Sequence, residues 1–362
     1  MKKLGLIGAR GMVGSVLLDR MMTEGDFQFF ETSFFSVSNS GGKAPEVANG
    51  NIVLLDAHNI AKLAEMDIIL SCQGGDYCQT VFDKLKNTGW DGYWIDSSSY
   101  LRMRTNSLIV LDPINRKGIE EYISQGGKIL VGGNCTVSLM LLALHGLFKD
   151  DLVKWVSSMT YQAASGAGAA AMVELIGQMK LLSDGELSGI SPLLLEKNIS
   201  QIAKGKNFLT KELETALACN LIPWIDSAMD NGQTREEWKG EVEANKILGY
   251  NKVIPVDGIC VRVGSLRCHS QAITVKLKKN LSILEIENIL SSANAWVKVV
   301  KNSKEQTLEH LTPISVSGTL NIPVGRIRKM TLGDKYITLF TVGDQLLWGA
   351  AEPLRRVLRM II

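Results

Sequence analysis

The first third of the chain alternates short apolar runs with helix-like stretches, and this alternation limits the fold more than any other feature. The strand-like runs are KLGLIG, TSFFSV, DIILSC, YWID, SLIVLD and KILVGG, and the helix-like stretches between them include Met12 to Met22 and Tyr77 to Asn87. Strands that alternate with helices along a chain form a parallel sheet with helices on both faces. The sequence therefore predicts an α/β fold that begins with a doubly covered parallel sheet.

Beyond this region the pattern changes to longer strand-like runs, KWVSSMTYQAA, GICVRVG and HSQAITVKLKK, separated by helical and polar segments. A chain of 362 residues is long enough for two domains, each with its own core. We predict a first domain over 1–132 and a second, α+β domain with a mixed sheet over 133–344. The last segment, 345–362, is predicted to form a helix that packs back on the first domain.

Charge and cysteine content argue against several classes of protein. The 39 Lys and Arg nearly balance the 37 Asp and Glu, so no strong field would attract nucleic acid or an anionic membrane. The six cysteines form no CxxC pair and no Cys/His cluster with zinc spacing, which predicts reduced thiols, no metal site and a cytoplasmic location. No apolar run reaches the roughly 20 residues of a membrane span, and the N-terminus lacks a signal-peptide core. Small molecules are the expected partners.

Three glycines follow the first strand at a spacing typical of nucleotide-binding turns. Gly8, Gly11 and Gly14 form GxxGxxG, in which glycine lets backbone NH groups approach a pyrophosphate at a helix N-terminus. A glycine-rich turn without a ligand is the alternative, because the pattern alone is a modest signal. Its place between the first strand and the first helix favours a dinucleotide.

The second strand runs into SVSNSGG, which lacks the acidic residue that usually binds the ribose hydroxyls of NAD. Ser36, Ser38 and Asn39 can donate hydrogen bonds there, and Arg10 lies in the phosphate turn. We therefore predict NADP rather than NAD. Gln73 follows another parallel strand, where sheets of this kind hold ligands.

Cys135 lies where the apolar strand KILVGG meets the apolar helix TVSLMLLALHGLF. The unpaired NH groups of a helix's first turn favour an anion, so we expect a lowered pKa for this thiol and a nucleophilic role. A buried structural cysteine is the alternative reading of the position.

His269 is the strongest candidate base among the four histidines, because period-two alternation in HSQAITVKL directs it toward the core. A structural role fits it equally well. Arg262 can present its guanidinium to a carboxylate if the chain turns near Gly264, or it can form a structural ion pair. Glu243 and Lys246 share one face of a predicted helix, a spacing that usually marks a surface pair.

Segments along nearly the whole chain resemble the bacterial aspartate β-semialdehyde dehydrogenases: GARGMVGS, SCQGGDY, GGNCTVSLM, TYQAASG, REEWKG, NKIL, VIPVDG, CVRVG, RCHSQA and VGDQLLWGAAEPLRR. The resemblance implies a Rossmann-like dinucleotide-binding domain followed by a catalytic and dimerisation domain, and a homodimer. It also implies the NADPH-dependent, reversible reductive dephosphorylation of L-aspartyl 4-phosphate to L-aspartate 4-semialdehyde. This step leads to lysine, methionine, threonine, isoleucine and diaminopimelate.

The same resemblance implies roles for individual residues. Cys135 would form an acyl thioester, and His269 would be the acid/base. For the substrate it implies Arg262 at the α-carboxylate, Glu243 at the ammonium group, Arg102 and Lys246 at the phosphate, and Gln162 for orientation. For the cofactor it implies Gly8, Arg10, Gly11, Met12, Val13, Val37, Ser38, Gln73, Ser165, Gly166 and Gln345.

Some positions depart from the family pattern. Val37 stands where relatives commonly have a hydroxyl residue near the 2′-phosphate, so selectivity for NADP over NAD stays open. Ala167, Ala170 and Ala171 stand where many relatives have glycine or larger polar residues, which leaves details of the cofactor loop open.

Two other functions remain as alternatives. One is another phosphorylating aldehyde dehydrogenase, such as an N-acetylglutamyl phosphate reductase. The predicted carboxylate partner for a free ammonium group argues against it, because an acetylated amine needs no anion. The other is a catalytically silent NADP-binding sensor, which the presence of nucleophile, base and anion-binding residues disfavours.

Overall fold

The computed structural model describes residues 1–183 and 191–362. Its N-terminal sheet contains β1 (Lys2–Ile7), β2 (Phe30–Ser36), β3 (Leu55–Asp56), β4 (Ile68–Ser71), β5 (Tyr93–Asp96), β6 (Leu108–Val110) and β7 (Ile129–Gly132). The strands pair in parallel in the order β3-β2-β1-β4-β5-β7-β6. The order reverses between β1 and β4, and the crevice at such a switch point is where open parallel sheets bind ligands.

Helices cover both faces of this sheet. They are α1 (Met12–Thr23), α2 (Ile60–Leu63), α3 (Gly75–Lys86) and α4 (Asp112–Ser124), and a 3₁₀ turn spans Asp26–Phe29. Alternation along β1 and β4 sends side chains to opposite faces, so Leu4 and Ile68 join the core with α1, whereas Ile69 joins the core with α3. The predicted α/β class with a parallel N-terminal sheet is confirmed.

The second sheet is mixed, as predicted. Its strands are β8 (Val153–Gln162), β9 (Leu221–Ile222), β10 (Val256–Asp257), β11 (Cys260–Val263), β12 (Cys268–Leu277), β13 (Val297–Val299), β14 (Ile322–Met330) and β15 (Gly333–Asp344). The order is β13-β14-β15-β12-β8-β11-β9, with β10 also paired to β8. The β12 strand is antiparallel to both β8 and β15, whereas β11 is parallel to β8.

The remaining helices are α5 (Cys135–Ala143), α6 (His145–Lys149), α7 (Ala169–Ser183), α8 (Pro192–Ala203), α9 (Arg235–Leu248), α10 (Ile283–Ala293), α11 (Lys304–His310), α12 (Pro313–Val316) and α13 (Glu352–Met360). A π-helical turn, Leu347–Ala351, leads into α13, and a 3₁₀ turn spans Ala164–Ala167. The α5 helix is buried along its length from Thr136, and it shares a core with α9 and the second sheet. It therefore gives a rigid support to the residue at its N-terminus.

The C-terminal helix α13 packs on the first sheet. Leu354 and Leu358 share a core with Leu4 of β1. Arg356 also makes a two-pronged ion pair with Asp112 at the start of α4, at 2.6 and 2.7 Å. The domain limits 1–132 and 133–344 stay a prediction. Within the described residues, no helix is both long and apolar enough to cross a bilayer.

Candidate active site

A cleft of about 530 Å³ lies between the glycine-rich turn before α1 and the carboxyl ends of strands from both sheets. It is lined by Met12, Val13, Ser97, Ser99, Arg102, Asn134, Cys135, Gln162, Ser165, Gly166, Gly168, Ile225, Asp226, Glu236, Lys239, Arg262, Gln345, Leu346 and Gly349. These residues come from distant parts of the chain, and nine of them were predicted as site residues: Met12, Val13, Arg102, Cys135, Gln162, Ser165, Gly166, Arg262 and Gln345.

Cys135 is the first residue of α5 and faces the cleft. The Asn134 side chain caps the helix, because its Oδ1 accepts hydrogen bonds from the backbone NH groups of Thr136 and Val137 at 2.9 and 3.3 Å. The sequence GGNCT thus ends β7 and starts a capped helix within a few residues. The thiol is held at the predicted joint between strand and helix.

His269 lies directly behind the thiol, with its Nε2 3.2 Å from Sγ of Cys135. Its other ring nitrogen, Nδ1, accepts a hydrogen bond from the backbone NH of Ala163 at 3.0 Å. An accepting Nδ1 carries no proton, so the neutral ring has its proton on Nε2, directed at the sulfur. The imidazole is completely buried, which fixes its orientation.

The pKa of the thiol is the reverse of the sequence-based expectation. Burial, together with the nearby carboxylate of Glu236, raises the pKa of Cys135 to about 12, although Arg262, Arg102 and Lys239 oppose the shift. Burial and the charge of Arg262 lower the pKa of His269 to about 3. The expected lowering at Cys135 was wrong, because the desolvation of a buried thiolate outweighs the helix N-terminus. Both shifts favour a neutral thiol beside a neutral imidazole.

Arg262 and Gln162 are paired neighbours on β11 and β8. The guanidinium of Arg262 donates to the carbonyl of Ala163 at 2.8 Å and faces the cleft, and burial lowers its pKa. The chain turns after β11, so Arg262 and His269 both reach the site despite their odd spacing. Gly166 lies against them: a Cβ there would be 2.5 Å from Nη1 of Arg262.

Arg102 reaches the cleft from the loop after β5. It donates to the carbonyls of Gly132 and Ser97 at 2.7 and 3.2 Å and to Oε1 of Glu243 at 3.2 Å. The second carboxylate oxygen of Glu243 accepts from the backbone NH of Asn134 at 2.7 Å. Glu243 therefore holds two parts of the site from behind.

The structure does not bring Glu243 and Lys246 into the cleft, contrary to the sequence-based assignment. Lys246 donates instead to the carbonyls of Arg102 and Arg104, and burial lowers its pKa. The residues of α9 that line the cleft are Glu236 and Lys239, whose charged groups are 3.1 Å apart. All four share one face of the helix, but only its N-terminal part reaches the cleft.

The glycine-rich turn has the shape that its spacing predicts. Gly8 has φ of +80°, and a Cβ at Gly14 would lie 2.0 Å from the carbonyl oxygen of Gly8. Gly11 precedes the first turn of α1. Gln73, after β4, lies against Gly8, since a Cβ at Gly8 would be 2.9 Å from its Nε2. The turn and Gln73 thus meet at the switch point of the sheet.

The other predicted cofactor residues surround this turn or the cleft. Arg10, Val37 and Ser38 are exposed on the loops after β1 and β2. Gln345 donates from Nε2 to the hydroxyl of Ser165 at 2.8 Å, and both side chains are buried. This bond joins the end of β15 to the loop after β8.

Comparisons with known proteins agree with this geometry. Residues 3–122 match the family described as "Semialdehyde dehydrogenase, NAD binding domain", and residues 144–348 match "Semialdehyde dehydrogenase, dimerisation domain". The chain belongs to the semialdehyde dehydrogenase family. The aspartate semialdehyde dehydrogenase from Francisella tularensis is 52% identical, with a TM-score of 0.97 and 100% of both chains covered. The recognition made from the motifs and the enzyme class are thereby confirmed.

More distant members of the semialdehyde dehydrogenase family share the fold. Aspartate semialdehyde dehydrogenase II from Vibrio cholerae, complexed with ASA, is 23% identical with a TM-score of 0.82, covering 100% of this chain and 98% of that one. Aspartate semialdehyde dehydrogenase with NADP from Candida albicans is 17% identical with a TM-score of 0.68, at the same coverage.

Sequence reasoning missed several cleft residues of this family member: Ser97, Ser99, Asn134, Asp226, Glu236, Lys239 and Gly349. The REEWKG segment, which was recognised as a motif, contains Glu236 and Lys239 and was the available signal for them. Asn134 could have been found as a helix cap. Asp226 and Gly349 come from remote segments, and nothing local marks them. In residues 1–183 and 191–362, no group of three or more His, Cys, Asp or Glu side chains is arranged to hold a metal.

Proposed function

We propose that this enzyme catalyses the reversible, NADPH-dependent reductive dephosphorylation of L-aspartyl 4-phosphate to L-aspartate 4-semialdehyde. The observation that carries the proposal is the 3.2 Å contact between Cys135 and His269 at a cleft that also holds three separate cationic side chains. A substrate with a carboxylate and a phosphate needs such separated cations. The likeness to the Francisella tularensis enzyme supports the same substrate.

In the proposed reaction, the thiol proton of Cys135 passes to His269, Sγ attacks the acyl carbon, and phosphate leaves with the electron pair of the broken bond. A thiol whose pKa is raised to about 12 reacts only when its surroundings favour the thiolate. In the tautomer that Ala163 favours, the Nε2–H of His269 can stabilise the thiolate and the oxygen of a hemithioacetal. For His269 to accept a proton at Nε2, the ring proton must move to Nδ1 and the bond from Ala163 must break.

The substrate groups are assigned from the geometry of the cleft. Arg262 is proposed to bind the α-carboxylate, with Gln162 beside it for orientation. Arg102 and Lys239 are proposed to bind the phosphate, and Glu236 the ammonium group. Glu236 suits an ammonium because its carboxylate is held ionised, with a lowered pKa, by Lys239 and by hydrogen bonds from neighbouring amides. Glu236 and Lys239 thus replace Glu243 and Lys246 in the earlier assignment.

The turn at Gly8 and Gly14 fits a dinucleotide, because a side chain at Gly14 would collide with the backbone of the turn and one at Gly8 with Gln73. Glycine at both positions keeps the turn tight enough for backbone NH groups to face a pyrophosphate. When bound, the nicotinamide supplies or accepts the hydride. We propose NADP because the segment directly after β2, residues 37–42 with Val37 and Ser38, has no carboxylate to repel a 2′-phosphate. Comparing KM for NADP and NAD tests this preference, and a lower KM for NAD would reverse it.

A homodimer is proposed from the dimerisation domain matched over 144–348. Met159 and Tyr161 support it, because both are 37% exposed on the outer face of β8. Sedimentation at micromolar concentration tests the proposal, and a monomer would contradict it.

A cytoplasmic location is proposed because all six cysteines are free thiols.

The decisive test is the reduction of NADP by the purified protein with aspartate semialdehyde and phosphate, beside the Cys135→Ser variant. The wild type should show phosphate-dependent turnover, and Cys135→Ser should lose nearly all turnover while still binding NADPH. Turnover that survives in Cys135→Ser would remove this thiol from the mechanism. An acyl adduct trapped on the Cys135 peptide by quenching would support the thioester directly.

The same assay separates the alternatives. A higher kcat/KM for N-acetylglutamate semialdehyde than for aspartate semialdehyde would favour the acetylated substrate. Binding of NADPH without turnover, in phosphate or arsenate and with either aldehyde, would favour a sensor.

A further inference from the structure

Asp226 is the charged residue of the cleft lining to which the proposed reaction assigns no role. Its carboxylate Oδ2 lies 2.7 Å from Nζ of Lys239. This is the shorter of the two ion pairs that the lysine makes, since the other, with Glu236, is 3.1 Å long. The loop that carries Asp226 precedes α9, and the residue lines the cleft. A carboxylate therefore sits against a cation that is assigned to phosphate.

The charges of the cleft are balanced before any ligand enters. Its cations are Arg102, Lys239 and Arg262, and the carboxylates of Glu243, Glu236 and Asp226 lie with them or directly behind them. A phosphate dianion would add negative charge to this balanced set. Because like charges a few ångströms apart repel strongly in a partly desolvated cleft, moving one carboxylate away would relieve this repulsion.

Asp226 is the carboxylate that can leave. The side chains of Glu236 and Glu243 are 8% and 2% exposed, whereas that of Asp226 is 32% exposed. Glu236 and Glu243 are also held by several buried hydrogen bonds, from Asn134, Gln162 and Arg102.

The backbone conformation at Asp226 is a second reason why this carboxylate can leave. Its φ is +72°, in the left-handed region, where a residue other than glycine is held at some cost. Among the described residues, the carboxylate otherwise accepts hydrogen bonds only from its neighbour Ser227. The carboxylate is thus tied to the site mainly through Lys239.

We propose that Asp226 is a specificity-determining residue that occupies the anion position at Lys239 in the ligand-free enzyme and is exchanged for the phosphate of the substrate. Its carboxylate keeps Lys239 charged and extended into the cleft. It also limits which anions can bind at Lys239, because an entering anion must displace the carboxylate. A phosphate dianion does this better than a monoanion. This inference rests on the proposed function, because it takes Lys239 as a phosphate ligand.

The test compares Asp226→Asn with Asp230→Asn, an exposed aspartate of the same loop that controls for the loss of one charge. Asparagine keeps the shape of the side chain and tolerates the left-handed backbone. In the direction of aldehyde oxidation, Asp226→Asn should lower KM for inorganic phosphate about tenfold, and sulfate should inhibit it more strongly. KM for aspartate semialdehyde should stay unchanged, and Asp230→Asn should behave as wild type.

Calorimetric titration with inorganic phosphate gives a readout that does not depend on turnover, and the affinity of Asp226→Asn should rise by the same factor. An unchanged or higher KM for phosphate in Asp226→Asn would overturn the proposal, as would an equal effect of Asp230→Asn. If Asp226→Asn folds poorly, Asp226→Gly removes the charge and accepts the positive φ without strain. A wild type without phosphate-dependent turnover would refute the proposed function, whereas an active wild type with unresponsive variants would refute only the role of Asp226.

Discussion

Glu243 offers a sharp test of how the site is supported from behind. Each of its carboxylate oxygens faces a donor: Oε1 faces Nη1 of Arg102 at 3.2 Å, and Oε2 faces the backbone NH of Asn134 at 2.7 Å. In Glu243→Gln, the single amide oxygen can accept only one of these bonds, and the amide NH₂ must face the other donor. The side chain is almost fully buried, so water cannot replace the lost acceptor.

The expected cost follows from these two contacts. A hydrogen bond to a charged group contributes about 1.5–3 kcal/mol, and breaking a buried ion pair costs about 3–5 kcal/mol. Because Gln keeps one of the two bonds, we expect Glu243→Gln to lower the free energy of unfolding by about 2–4 kcal/mol. The value of kcat/KM should also fall by about tenfold or more, because either Arg102 or the backbone of Asn134, the residue before Cys135, loses its acceptor.

Urea unfolding followed by tryptophan fluorescence measures the stability, at one fixed protein concentration because a dimer's stability depends on it. Glu241→Gln is the control, since Glu241 is a half-buried residue of the same helix. A loss in Glu243→Gln no larger than in Glu241→Gln would refute the reasoning. A large loss of stability with unchanged kcat/KM would show that the contact supports the fold but not the site.

Three further predictions follow from distances and pKa shifts. In Gly349→Ala, the new Cβ would lie 2.7 Å from Cβ of Cys135. We therefore expect kcat to fall about a hundredfold while NADPH binding is retained. A normal kcat would contradict the close contact. The pKa of Cys135 is raised to about 12. The rate of its alkylation by iodoacetamide, followed on its own peptide, should therefore rise about tenfold per pH unit from pH 7 to 9, whereas a plateau would indicate a lower pKa. Arg356→Gln breaks the ion pair with Asp112 and should lower the free energy of unfolding by about 1–3 kcal/mol in urea; a loss equal to that of the exposed Arg328→Gln would contradict it.

Features that depend on neighbouring residues were predictable from the sequence. The turn at Gly8 and Gly14 is one example, because its geometry follows from sterics within a short segment. The position of Cys135 at the start of a helix is another, since the apolar strand, the cap and the apolar helix are contiguous. The parallel first sheet followed for the same reason, from the alternation of strands and helices.

The α9 helix shows where local reasoning ends. Its period puts Glu236, Lys239, Glu243 and Lys246 on one face, and the sequence determined that much. Which pair meets the cleft is decided by tertiary packing, because Glu243 is bonded to Arg102 and Asn134, and Lys246 to the carbonyls of the loop that carries Arg102.

The pKa of Cys135 likewise depends on tertiary packing. The helix N-terminus is a local property and favours the thiolate, but the surrounding protein buries the sulfur and places Glu236 nearby. Desolvation and charge act through space, from residues that are remote in the chain. The sequence by itself therefore determined the family, the elements and the identity of the proposed nucleophile. Only the tertiary structure decided which charged groups surround that nucleophile, because distance in space, not in sequence, sets their interaction.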